Sequence, residues 1–127
     1  MELTNAPLQY RLKNYFLELN PHITDDIDKY IKIKLYTFID INTPCDVCKQ
    51  SIEIINNWLT KNDLLETLLV GWIVEPEMSR NILSMDYNIK QSPTHIITDS
   101  KYRVIDIKTG IIAEHWLDEY IMPTIKG

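Results

Sequence analysis

Lys32-Ile33-Lys34-Leu35-Tyr36-Thr37-Phe38-Ile39-Asp40-Ile41-Asn42-Thr43-Pro44-Cys45-Asp46-Val47-Cys48 decides how this chain folds, because its two ends obey different spacing rules. From Lys32 to Ile41 the residues are dense in β-branched and aromatic types, which suits a strand, and Asn42-Thr43-Pro44 then breaks it. Beyond the break, Val47, Ser51, Ile54/Ile55 and Trp58 mark one helical face, with Ile52 and Leu59 widening it. A strand therefore feeds directly into a helix whose first turn carries Cys45 and Cys48. These are the only cysteines among 127 residues, and random placement would set them this far apart about two times in a hundred.

Working outward, Asn5-Ala6-Pro7 reads as a helix start. Leu8, Leu12, Tyr15/Phe16 and Leu19 recur at helical spacing until Asn20-Pro21, which predicts an amphipathic helix over 8–19. Thr24 or Asp25 caps a second short helix through about Tyr30, with Asp25, Asp26 and Asp28 at the end the helix dipole favours. The apolar run Leu68-Leu69-Val70-Gly71-Trp72-Ile73-Val74, ended by Glu75-Pro76, predicts a strand covered on both faces in the middle of a sheet. Glu77 to about Met85 reads as a helix. Thr94–Thr98 and Tyr102–Ile107 are strands around an Asp99-Ser100-Lys101 turn, and a last helix over Ile111–Ile121 is closed by Pro123. The β-α-β unit, hairpin and closing helix together predict an α/β fold: a mixed four-stranded sheet with helices on both faces. Its length suits one domain, 1–127, with an N-terminal helical segment over 1–30 and a core over 31–122.

Hydrophobic residues make up 45% and charged residues 24% of the chain, an ordinary globular composition. No apolar run is long enough to span a bilayer, and Met1-Glu2-Leu3-Thr4-Asn5 lacks the start of a signal peptide, so the expected location is cytoplasmic. A net charge of −5 argues against nucleic acid as a partner, and the stripe Lys29, Lys32 and Lys34 reads as a solvated face.

The thiol spacing points to dithiol chemistry. It also serves half of a zinc site or a structural disulfide, although a zinc site needs four ligands and His22, His95 and His115 are dispersed without ligand spacing. A cysteine at a helix N-terminus gains from unpaired backbone N–H groups and the positive dipole end, which favour the reactive thiolate. The carboxylate of Asp46 opposes that effect, and Lys49 supports it; these two charges are the expected modulators of the thiols. His95 and His115 read as packing or surface residues, and Trp58, Trp72 and Trp116 as core aromatics.

Thr43-Pro44-Cys45-Asp46-Val47-Cys48-Lys49, then Gln91-Ser92-Pro93-Thr94, then Lys108-Thr109-Gly110-Ile111 make the segment from Ile33 to Ile121 resemble the thioredoxin family. The resemblance implies the thioredoxin-like fold, with an N-terminal helical extension. It also implies thiol–disulfide exchange, with Cys45 as nucleophile and Cys48 as resolving cysteine. Pro93 matches the family's cis proline, so the Ser92–Pro93 bond is expected to be cis and the backbone of Ser92 to pair with substrate. Pro44 and Gly110 complete the substrate-binding surface that the resemblance implies. It calls for protein disulfides and an external reductase or small thiol as partners, for no bound cofactor or metal, and for a monomer. Two positions depart from the pattern. The family's buried acid is Ile39 here, with Asp40 one residue off, and its basic partner on the next strand is Trp72. These departures motivate a second reading, a thioredoxin-like protein-binding module with little redox turnover.

Overall fold

The computed structural model describes residues 5–40, 45–65, 67, 69–75 and 91–126. In chain order these form α1 (Asn5–Leu19), α2 (Asp25–Asp28), β1 (Ile33–Phe38), α3 (Asp46–Lys61), β2 (Val70–Glu75), β3 (Thr94–Thr98), β4 (Val104–Thr109), α4 (Glu114–Tyr120) and α5 (Met122–Lys126). The strands make one four-stranded sheet in the order β2-β1-β3-β4. β1 runs parallel to β2 and antiparallel to β3, and β3 runs antiparallel to β4. A mixed sheet follows from the connections, because the β1–β2 link contains α3 whereas β3 and β4 are joined by a short turn.

Alternation along β1 divides the core into two halves. Ile33 and Leu35 pack with Ile55, Trp58 and Leu59 of α3 and with Trp116 and Leu117 of α4. On the other face Tyr36 and Phe38 pack with Leu12 and Phe16 of α1, joined by Ile31, Ile73, Ile96 and Tyr102. The indole N–H of Trp58 donates to Asp118 Oδ1 at 2.8 Å, tying α3 to α4. Gly71 lets α1 sit close to β2: a Cβ there would lie 2.6 Å from Phe16 Cζ, closer than atoms pack.

Several sequence expectations need correction. β2 is an edge strand, not a central one; the fully buried strands are β1 and β3. Its apolar character comes from the cover on its two faces, which the hydrophobic pattern registers without revealing whether a neighbour pairs on both sides. On α3 the buried stripe runs through Cys48, Ser51, Ile55, Trp58 and Leu59, while Val47 is exposed. Cys45 is the N-cap rather than a first-turn residue. α1 begins at Asn5, and Leu19 at its far end is exposed.

The β3–β4 turn is longer than expected. Tyr102 takes a positive φ of 65° and is buried outside the strand, and β4 starts two residues later at Val104. Asp99 organises this turn, its carboxylate accepting the backbone N–H groups of Lys101 and Arg103 at 2.8 and 3.0 Å. These bonds hold that carboxyl below the usual range against the opposing effect of burial. Pro123 does not close α4; it lies in the first turn of α5, where its missing N–H leaves no bond unmade. The helix read over Glu77–Met85 lies outside the described residues.

Lys34 is not part of a solvated face. It is fully buried, with Nζ 3.2 Å from Asp28 Oδ1 and donating to the carbonyls of Ile31 (3.1 Å) and Ser100 (2.8 Å). The ammonium also stands 4.3 Å from the centroid of the Tyr102 ring, whose hydroxyl donates to Asp28 Oδ1 at 2.5 Å. Burial lowers the pKa of Lys34, and the Asp28 carboxylate works against that shift. Thr24 caps α2 as expected, its hydroxyl accepting the Ile27 N–H at 3.4 Å.

Candidate active site

Cys45 is placed by the end of one element and the start of another. It is the N-cap of α3, with extended backbone (φ −148°, ψ 91°), and its sulfur accepts the Cys48 N–H at 3.1 Å, satisfying one of the helix's orphan donors. Cys48 lies one turn further in and is 4% exposed, whereas Cys45 is half-buried. The two sulfurs are joined in a disulfide, with the Cα atoms 5.2 Å apart. Asp46 and Lys49 are both exposed, on the same helix end.

The segment before β3 meets this helix end. The Ser92–Pro93 peptide bond is cis, and Pro93 is buried. The Ser92 carbonyl oxygen lies 3.9 Å from Cys45 Sγ, and Ser92 Oγ lies 3.1 Å from Cys48 Sγ. The same hydroxyl oxygen accepts the backbone N–H of Asp40 at 3.1 Å, which fastens the end of β1 to the segment before β3. Gly110 is brought in through its N–H, donated to the Pro93 carbonyl at 2.8 Å. Its φ of 81° lies where a side chain is strained, although a Cβ there would touch nothing within 4 Å; backbone conformation, not space, favours glycine. Cys45, Cys48, Ser92, Pro93 and Gly110 are thus connected through contacts in the fold, and Pro44 lies outside the described residues.

A polar group that the sequence reading did not find lies on the α3 side of the sheet. Thr37 and His95 pair across β1 and β3, and Thr37 Oγ1 lies 3.0 Å from His95 Nδ1 while accepting the Trp72 indole N–H at 3.0 Å. His95 packs against Trp116, whose own N–H donates to Asp106 Oδ2 at 2.7 Å. Burial pushes His95 down to about 4, so its imidazole is neutral at pH 7. His95 Nε2 and Ser51 Oγ are buried without a hydrogen-bond partner among the described residues. His95 is accordingly a packing residue as expected, and His22 and His115 are exposed. Alternating polar and apolar residues in β1 give the only sequence signal for Thr37, and nothing in sequence pairs it with Trp72.

A mixed sheet between helices, with a cysteine pair at a strand-to-helix junction, is the thioredoxin fold. Solved structures bear this out. A thioredoxin of Nicotiana alata superposes with a TM-score of 0.59 at 16% identity, over 91% of this chain and 85% of that one. Fasciola hepatica thioredoxin gives a TM-score of 0.56 at 14% identity, covering 76% of this chain and 85% of its own. Thioredoxin-2 of a malaria parasite, described as a component of that parasite's protein secretion machinery, gives 0.57 at 14% identity, covering 72% and 82%. No protein-family model and no curated protein matches the sequence. The likeness is therefore one of fold. Among the described residues, no helix is long and apolar enough to cross a membrane.

Proposed function

We propose that this protein is a thiol–disulfide oxidoreductase that reduces or exchanges protein disulfides through Cys45 and Cys48. The observation that carries the reading is the bonded sulfur pair at the start of α3, with Cys45 half-buried, Cys48 covered and the Ser92–Pro93 segment against both. In the reduced form the Cys45 thiolate attacks one sulfur of a substrate disulfide. A Cys45–substrate bond forms and the other substrate sulfur leaves as thiolate. Cys48 then attacks Cys45 Sγ, the internal disulfide closes and the second substrate sulfur leaves. Two electrons and two protons have passed to the substrate. An external reductase or small thiol returns them, so the chain needs no bound cofactor.

Substrate would lie along the backbone of Ser92, beside Pro44, Pro93 and Gly110, and a reducing compartment such as the cytoplasm suits the cycle. The test is reduction of insulin driven by dithiothreitol. The parent is expected to accelerate it and Cys45→Ser to abolish the acceleration; equal rates for the two would end this reading.

The departures at Ile39 and Trp72 favour one other reading, a protein-binding module. Trp72 donates to Thr37, and Ile39 puts an apolar residue where a proton-transferring acid would stand. A partner that binds the Cys45→Ser/Cys48→Ser double variant undiminished, with no insulin reduction by the parent, would select it.

A further inference from the structure

The resolving sulfur has an unusual difficulty in this chain. Cys48 is 4% exposed, and a thiolate withdrawn from water is costly unless something donates to it. The residue six positions ahead of Cys45, Ile39, carries neither a proton nor a donor in its side chain. Ser92 Oγ lies 3.1 Å from Cys48 Sγ, and its oxygen is already engaged as acceptor by the Asp40 N–H at 3.1 Å. That bond occupies an oxygen lone pair and polarises the hydroxyl, which leaves the O–H hydrogen for the sulfur.

We propose that Ser92 is a catalytic residue through its side chain as well as its backbone, its hydroxyl donating to Cys48 Sγ and holding the charge that develops when this sulfur becomes the attacking thiolate. The inference rests on the oxidoreductase reading above and adds a named donor to its second step. When Cys45 has formed the mixed disulfide, Cys48 gives up its proton to the departing substrate thiolate, directly or through water. The Ser92 O–H···S contact then stabilises the new thiolate until its electron pair forms the Cys45–Cys48 bond and the Cys45–substrate bond breaks. Ser92 returns to the contact seen here, with its own proton never transferred. Asp46, Lys49 and Asp40 contribute charge around the pair, but they are the same in every Ser92 variant, so a comparison among variants isolates the hydroxyl.

The experiment measures the ionisation of Cys48 alone, in the Cys45→Ser background, from the ultraviolet absorbance of the thiolate as pH is raised. Ser92→Ala is expected to move the midpoint up by about one unit, a tenfold weaker acid, the size expected for losing one hydrogen bond to a charged group. Ser92→Thr and Ser92→Val form a matched pair of similar volume, readable even where the alanine variant folds poorly; the threonine form keeps the low midpoint and the valine form loses it. A midpoint that stays put in Ser92→Ala or Ser92→Val, or that rises equally in Ser92→Thr and Ser92→Val, overturns the proposal. Because this readout needs no turnover, it stands apart from insulin reduction by the parent, whose absence would instead remove the redox reading itself.

Discussion

Acidification should destabilise this protein through His95 in a way that a single substitution removes. The imidazole is fully buried, and its pKa of about 4 lies well below the ordinary histidine value of 6.5. Above pH 6.5 the ring is neutral in both folded and unfolded chains and contributes no pH dependence. As pH falls below that point the unfolded chain binds a proton and the folded chain does not, so stability declines until the buried ring itself protonates near pH 4. The gap of 2.5 units, 6.5 minus 4, corresponds to about 3 kcal/mol at 1.36 kcal/mol per unit. Against a total stability of about 5–15 kcal/mol for a domain, that loss is easily measured. The assay is urea unfolding at pH 7 and pH 4 for the parent and for His95→Leu. Carboxylates add a pH dependence common to both proteins, so the quantity to read is the difference between their pH-induced changes. The parent should lose about 3 kcal/mol more than the variant. Equal losses would refute the reasoning and show that the ring is protonated as readily in the folded state as in the unfolded one. The lost Thr37 contact lowers the variant's stability at both pH values and cancels in this difference.

Two further outcomes follow from other residues. Lys34→Met leaves Asp28 buried without its cation and should cost about 3–5 kcal/mol by thermal or urea unfolding, whereas adding Asp28→Asn should restore part of it. Full stability in the single variant would show that the pair is not a supporting contact. Asp46→Asn removes a negative charge next to the N-cap sulfur and should lower the pKa of reduced Cys45 by about half a unit, measured by pH-dependent alkylation; an unchanged value would refute the opposition between Asp46 and the helix dipole.

The chemistry-bearing centre was legible because it is local. Cys45 and Cys48 announce themselves by spacing, Pro44 separates strand from helix, and Gln91-Ser92-Pro93-Thr94 and Gly110 stand in the expected order. What escaped the sequence depends on partners distant along the chain. Lys34 looked like surface because a lysine is almost never buried unpaired, and its partners, Asp28 and Ser100, are joined to it only by the fold. The edge position of β2 escaped because hydrophobicity reports cover on the faces of a strand and not pairing at its sides. Tyr102 was read into β4 for its β propensity, but its ring packs against Phe16 and its hydroxyl reaches Asp28, and the backbone takes a positive φ there. Val47 and Cys48 exchanged roles through the rotation of one helical step: a stripe begun one residue later also runs through Ser51, Ile55 and Trp58, so the apolar pattern alone does not fix where it starts. The contact of Ser92 Oγ with Cys48 Sγ joins residues 44 positions apart. No spacing rule reaches that far.

The bridge between Cys45 and Cys48 encloses a very short stretch of chain, with a sequence separation of 3. Crosslinking so small a ring restricts the unfolded ensemble by only about 2 kcal/mol on a chain-entropy account, far less than a staple across a whole domain contributes. Opening it therefore leaves both core halves and the sheet able to stand without it. Such a clasp can be undone and refastened many times on an unmoving scaffold, which separates the molecule's durability from the oxidation state of its sulfur.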